Sequence, residues 1–80
     1  MDTNEAMRAL IDGAGFSARG ASLAMGRSDN WLSATLARPG GSKAATVAEL
    51  AGVCGYKLAL VPSGAALPSG SIVIDPPARD

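Results

Sequence analysis

The residues able to do chemistry in this chain are few, and most of its cations lie between Ser17 and Lys43. That stretch carries Arg19, Arg27, Arg38 and Lys43 against the single carboxylate Asp29, a local net charge of +3 in a chain whose formal net charge is +0. The flanks are acidic by the same amount. Guanidinium and ammonium groups gathered in one stretch suit the oxygens of phosphates, and their small number predicts modest non-specific affinity for nucleic acid. Other chemistries find no constellation. There is no histidine and one cysteine, so no zinc or haem site can be assembled. The seven carboxylates are scattered singly, without the close pair used in general acid–base work. Ser17, Ser22, Ser28 and Ser33 lack a histidine base, and Gly13-Ala14-Gly15 lacks the strand before it and the Lys-Ser/Thr after it that a phosphate loop needs. The composition therefore argues against catalysis and implies no cofactor or metal.

The elements that must position these residues can be read from caps and spacing. Ser17 is suited to cap a helix, since its hydroxyl can accept from a free N–H of the first turn. Phe16 and Ala21 form an apolar staple around that start. Gly26 is placed to end this helix in the left-handed conformation that glycine adopts most cheaply. Ser28 is expected to cap a second helix, with Asp29 at the positive end of its dipole. Ala21, Met25, Leu32 and Leu36 are the apolar positions, Ser22 is small where the helices cross, and Trp31 reads as a strut between helices. Residues 17–38 thus read as a helix-turn-helix unit, whose second helix is the element that enters a DNA major groove.

The rest reads as support. Asp2 or Thr3, with Glu5, opens a helix bearing the stripe Ala6, Met7, Leu10, Ile11 and Ala14, and Gly13 and Gly15 close it. Pro39 stops the helix before it, and Gly40-Gly41 forms a loop. Ser42 is expected to cap a fourth helix, 43–54, with Val47, Leu50, Ala51 and Cys54 on one face and Gly55 after it. Residues 57–61 and 71–75, rich in aliphatic and β-branched side chains, read as two strands of a hairpin. These strands are apolar on both faces, so Leu58, Leu60, Val61, Ile72, Val73 and Ile74 are expected to meet a second copy and build a homodimer. The expected layout is a helical bundle over 1–56, a dimerising β-hairpin over 57–75 and a tail over 76–80. Eighty residues form one small domain, and oligomerisation is a common way to add buried surface at this size. No apolar run is long enough to span a bilayer and no signal-peptide start is present, so a cytoplasmic location is expected. Lone Cys54, among Val53 and Tyr56, reads as a small buried hydrophobe.

The segment resembles the lambda-repressor/Cro-like (Xre-type) helix-turn-helix proteins of phages and bacteria. Their unit often runs Ser-x-x-x-apolar-Ala-x-x-Leu-Gly-x-Ser-x-x-aromatic-Leu-Ser. Ser17, Ala21, Ser22, Met25, Gly26, Ser28, Trp31, Leu32 and Ser33 stand at those places, and Gly55 to Pro62 matches a following Gly-Tyr-x-Leu-x-Leu-Val-Pro segment. The resemblance spans residues 3–62. Two departures are Ser22 in place of the usual alanine, and Ala18 and Gly20 where longer polar residues are common.

The resemblance implies a mainly α, four-helix lambda-repressor-like domain with a C-terminal two-stranded hairpin. It implies sequence-specific binding of double-stranded DNA by a small homodimeric transcriptional regulator, a repressor of phage or mobile-element type, on a pseudo-palindromic operator. Asp29, Asn30, Ser33 and Ala34 would then face base edges: Asn30 can pair with adenine, Asp29 can accept from cytosine, Ser33 is tolerant and Ala34 can touch a thymine methyl. Arg19, Arg27, Arg38 and Lys43 would hold phosphates, with the helix-end amides at Ser17 and Ser28. The alternative is that the same fold binds another protein, as an inhibitor of host defence or an antitoxin does. Zero net charge, Asp29 in a groove position and the short Ala18, Gly20 and Ala34 favour that alternative.

Overall fold

A reciprocal pair of hydrogen bonds starts the chain's first helix. Asp2 accepts from the Glu5 N–H at 2.8 Å and the Glu5 carboxylate accepts from the Asp2 N–H at 3.2 Å, the capping box foreshadowed by Asp2 and Glu5. The computed structural model describes residues 1–39 and 41–76. Within them it contains α1 (Thr3–Ala14), α2 (Ala18–Ala24), α3 (Trp31–Ala37) and α4 (Ala44–Val53). The four helices of a mainly α chain are therefore present, and residues 77–80 of the expected tail, with Gly40 of the expected loop, lie outside the described residues.

Ala6, Met7, Leu10 and Ile11 bury one face of α1, while Ala14 is exposed at its end. Ser17 caps α2 as expected, accepting from the Gly20 N–H at 3.0 Å. At the other end of α2, Gly26 has φ +74°, the Arg27 N–H donates to Ser22 O and the Gly26 N–H donates to Leu23 O, both at 3.0 Å. This pair of bonds satisfies carbonyls the helix leaves open and turns the chain sharply toward α3. α2 packs on α3 and α4, and α1 packs on α4. Between them lies a core of Met7, Leu10, Ile11, Ala21, Leu32, Val47, Leu50 and Ala51, edged by Phe16, Met25, Trp31 and Leu36. Each fully buried Leu or Met contributes about 1.5–3 kcal/mol through removal of apolar surface from water.

Two expected caps are corrected. α3 begins at Trp31, not at Ser28: the Trp31 N–H donates to Ser28 O at 3.1 Å, which makes residues 28–31 a turn, and the Ser28 hydroxyl is spent on Asn30 Oδ1 at 3.2 Å. α4 begins at Ala44 with Lys43 at the cap position and no side-chain cap, which leaves Ser42 one residue too early; its N–H donates to Thr3 Oγ1 at 3.1 Å.

The larger correction concerns the C-terminal hairpin. Among the described residues there is no β-strand, and residues 57–76 run as irregular chain. Their apolar composition reports burial and exposure rather than strand pairing. The backbone of residues 73–75 meets the N-terminus instead: Asp75 N–H donates to Met1 O at 2.9 Å and the Met1 amino group donates to Val73 O at 3.5 Å. The connection folds into local turns at Pro62 and Pro68, and Tyr56 Oη donates to Gly70 O at 3.1 Å. Ile72 and Ile74, expected in the dimer, are half-buried against the chain's own core. Leu58, Leu60, Val61 and Val73 are exposed, Leu60 completely. Among the described residues, no helix is long and apolar enough to cross a membrane.

Candidate nucleic-acid interface

α3 has seven residues, too few to be stable by its own hydrogen bonds, so its neighbours must hold it. Its inner face is Leu32 and Thr35, buried, with Trp31 and Leu36 half-buried. Its N-terminal end receives a cap from another helix. Ser22, fully buried on α2, accepts from the Leu32 N–H at 2.9 Å and donates to Ala18 O at 2.8 Å. The Leu32 amide is one of the first-turn donors that a helix cannot satisfy internally. The C-terminal end is held from α1: Asn4 Nδ2 donates to Leu36 O at 3.4 Å and Arg38 O at 3.2 Å, and Arg8 Nη2 donates to Leu36 O at 3.4 Å. The loop beyond is pinned as well. Gly41, at φ +79°, lies directly over the Thr3 side chain, whose Oγ1 accepts from Ser42 N–H.

Held this way, α3 turns Ser33, Ala34 and Ala37 to solvent, with exposed Asn30 just before them on the same side. This strip offers one amide able to donate and accept, one hydroxyl and two methyl groups. It carries no charge. Three of the four expected base-reading residues, Asn30, Ser33 and Ala34, thus share one face. Asp29 is also exposed, in the turn, with a carboxylate oxygen 3.7 Å from Arg19 Nε. Ala37 was not anticipated, although counting three and seven residues on from Ala34 and Asn30 reaches it.

The expected phosphate ligands are distributed unevenly. Arg38 and Lys43 are exposed at the end of α3 and the start of α4, and Arg38 Nη2 donates to Thr35 Oγ1 at 3.3 Å. Together with Arg27, Trp31, Thr35 and Thr46 they line an open, polar groove. Arg27 is engaged. Its Nη2 donates to Glu49 Oε1 at 2.9 Å and its guanidinium carbon stands 4.2 Å from the centre of the Trp31 ring. An exposed ion pair contributes about 0–1 kcal/mol and a cation–π contact about 0.5–1 kcal/mol, so Arg27 is held, though not irreversibly. The side chains of Ser17 and Ser28 are occupied by Gly20 N–H and Asn30 Oδ1.

Glu49, Asn4 and Arg8 were missed in the sequence. The first carries a salt bridge between segments far apart in the chain, and the other two bind backbone carbonyls, partners that leave no mark on residue type or periodicity. Among the described residues there is no cluster of His, Cys, Asp and Glu able to hold a metal ion. Cys54 is half-buried at the edge of the core, and burial pushes its thiol above the ordinary value. Comparisons with protein-family models, with curated proteins and with solved structures found no match.

Proposed function

We propose that this chain binds double-stranded DNA as a helix-turn-helix regulator of the lambda-repressor/Cro-like kind, working as a homodimer in the cytoplasm. The observation that carries the reading is the clamping of α3. Ser22 holds one end and Asn4 with Arg8 the other, so the Asn30–Ser33–Ala34 face stands rigidly outward beside Arg38 and Lys43. Such a helix enters the major groove, Asn30 pairing bidentately with an adenine and the two cations beyond its C-terminal end meeting phosphates. Exposed Leu58, Leu60, Val61 and Val73 supply an apolar surface for the second copy. Two copies would set their α3 helices about 34 Å apart, and the operator is then a pseudo-palindrome. Occupying such a site would block transcription, the role of a repressor.

A second reading, binding of a protein partner, is favoured by one observation: Arg27 is paired with Glu49 and Arg19 lies near Asp29. Two of the four cations are then partly neutralised within the chain. A salt titration separates the readings. Fluorescence anisotropy is followed on the duplex upstream of the protein's own gene and on a scrambled duplex. The DNA reading expects two copies per site, preference for the native sequence and steep weakening with salt. Equal and micromolar or weaker binding to both duplexes at low salt speaks for the protein partner.

A further inference from the structure

Arg27 lies in the connection between α2 and α3, immediately after Gly26, on the rim of the groove that also holds Arg38 and Lys43. It differs from them in carrying a carboxylate partner. Glu49 reaches it from α4 at 2.9 Å, and the Trp31 ring supports the guanidinium from the other side at 4.2 Å. Both partners of the ion pair remain partly open to solvent, with side chains 37% and 45% exposed. The guanidinium can therefore leave Glu49 for another anion without a buried charge being stranded. Neither partner of the bridge belongs to the buried core of the bundle.

We propose that Glu49 is a negative determinant of DNA affinity: it holds Arg27 away from the phosphate backbone, so that the chain contacts DNA with one cation fewer than it carries. This rests on the DNA-binding reading above. A protein with few phosphate contacts depends on its base-reading face for most of its discrimination, since sequence-independent binding comes from neutralised phosphates. Glu49 thereby favours specificity at the expense of total affinity. Arg27, in this arrangement, is a reserve contact whose use is decided by competition between Glu49 and a phosphate oxygen.

The test is a set of salt titrations on a scrambled duplex and on the operator, using Glu49→Gln, Arg27→Gln, the double variant and Asp12→Asn. Gln is close to Glu in size and removes only the charge, and Asp12 is an exposed α1 carboxylate that controls for a simple change in net charge. Circular dichroism verifies that each variant is folded. Glu49→Gln is expected to bind the scrambled duplex severalfold more tightly and to steepen the slope of log K against log salt by about 0.9, the signature of one added phosphate contact. The specificity ratio falls correspondingly. Arg27→Gln alone leaves the slope unchanged, and in the double variant the gain disappears. The inference is overturned if Asp12→Asn gives the same gain, if the gain persists when Arg27 is also replaced, or if Glu49→Gln equals the parent. Failure of the parent and every variant to bind either duplex overturns the DNA reading itself, and the inference with it.

Discussion

The hydroxyl of Ser22 on α2 accepts a hydrogen bond from the backbone N–H of Leu32 in the first turn of α3, at 2.9 Å and out of contact with solvent. The same hydroxyl donates to Ala18 O, so its proton and a lone pair are both used. α3 has no side-chain cap of its own, and Ser22 supplies one from the preceding helix. Ser22→Ala leaves the Leu32 amide buried without an acceptor. The expected cost is about 1–3 kcal/mol, read as a lower midpoint in urea unfolding with an unchanged m-value. An unaffected midpoint would show that the bond contributes nothing net.

Gly26 and Gly41 share nearly the same positive φ, +74° and +79°, but differ in what a side chain would meet. Space is open at Gly26, whereas a Cβ at Gly41 runs into Thr3 Oγ1. Gly26→Ala is expected to cost about 1–2 kcal/mol from backbone strain alone. Gly41→Ala should cost more, because Thr3 must move and its bond to the Ser42 N–H is disturbed. Comparing the two denaturation midpoints isolates the contact from the conformation.

These two cases show where the sequence was readable. Asp2, Ser17 and Gly26 act on neighbours within three to five residues, and each took the place its type assigns. Ser22 is legible as a small residue at a crossing, but its bond to the Leu32 amide is not. That partner is a backbone group ten positions away, as the carbonyls bound by Asn4 and Arg8 lie near thirty. The failure at 57–75 has another cause. Alternating and continuous aliphatic runs mark any extended chain with apolar duties, and here Ile72 and Ile74 cover the bundle while the backbone pairs with Met1.

Charge at the N-terminal end sets a pH dependence. The Asp2 carboxyl lies below its ordinary 3.8, chiefly because it accepts from the Glu5 N–H. Its contribution is complete above pH 3.8 and is lost as pH falls through the lower folded-state value. The Met1 amino group lies above its ordinary 8.0, chiefly because it donates to Asp75, so its contribution is complete below pH 8.0 and fades as pH rises through the folded-state value. Thermal midpoints across pH should therefore fall at both limits. Asp75→Asn should flatten the alkaline limb, because it removes the partner that raises the Met1 amino group. An unchanged alkaline limb would contradict the pairing.

Leu60 is fully exposed and has no role in the chain's own core. Leu60→Glu should leave the circular dichroism spectrum and thermal midpoint nearly unchanged while shifting sedimentation from dimer toward monomer. Ile74→Ala should do the opposite, lowering stability by about 2–5 kcal/mol or somewhat less for a half-buried site. A Leu60→Glu protein that remains dimeric places the interface elsewhere.

The most direct measurement is the specificity ratio, operator over scrambled duplex, for the parent and for Asn30→Ala. Asn30 is exposed on the α3 side of the turn and its amide is the most discriminating group on that face. The substitution is expected to lower operator affinity by about 1–3 kcal/mol, to relax preference at one base pair in each half-site, and to leave scrambled-duplex binding and the salt slope intact. An unchanged ratio, or an equal loss on both duplexes, would contradict the claim that this face reads DNA.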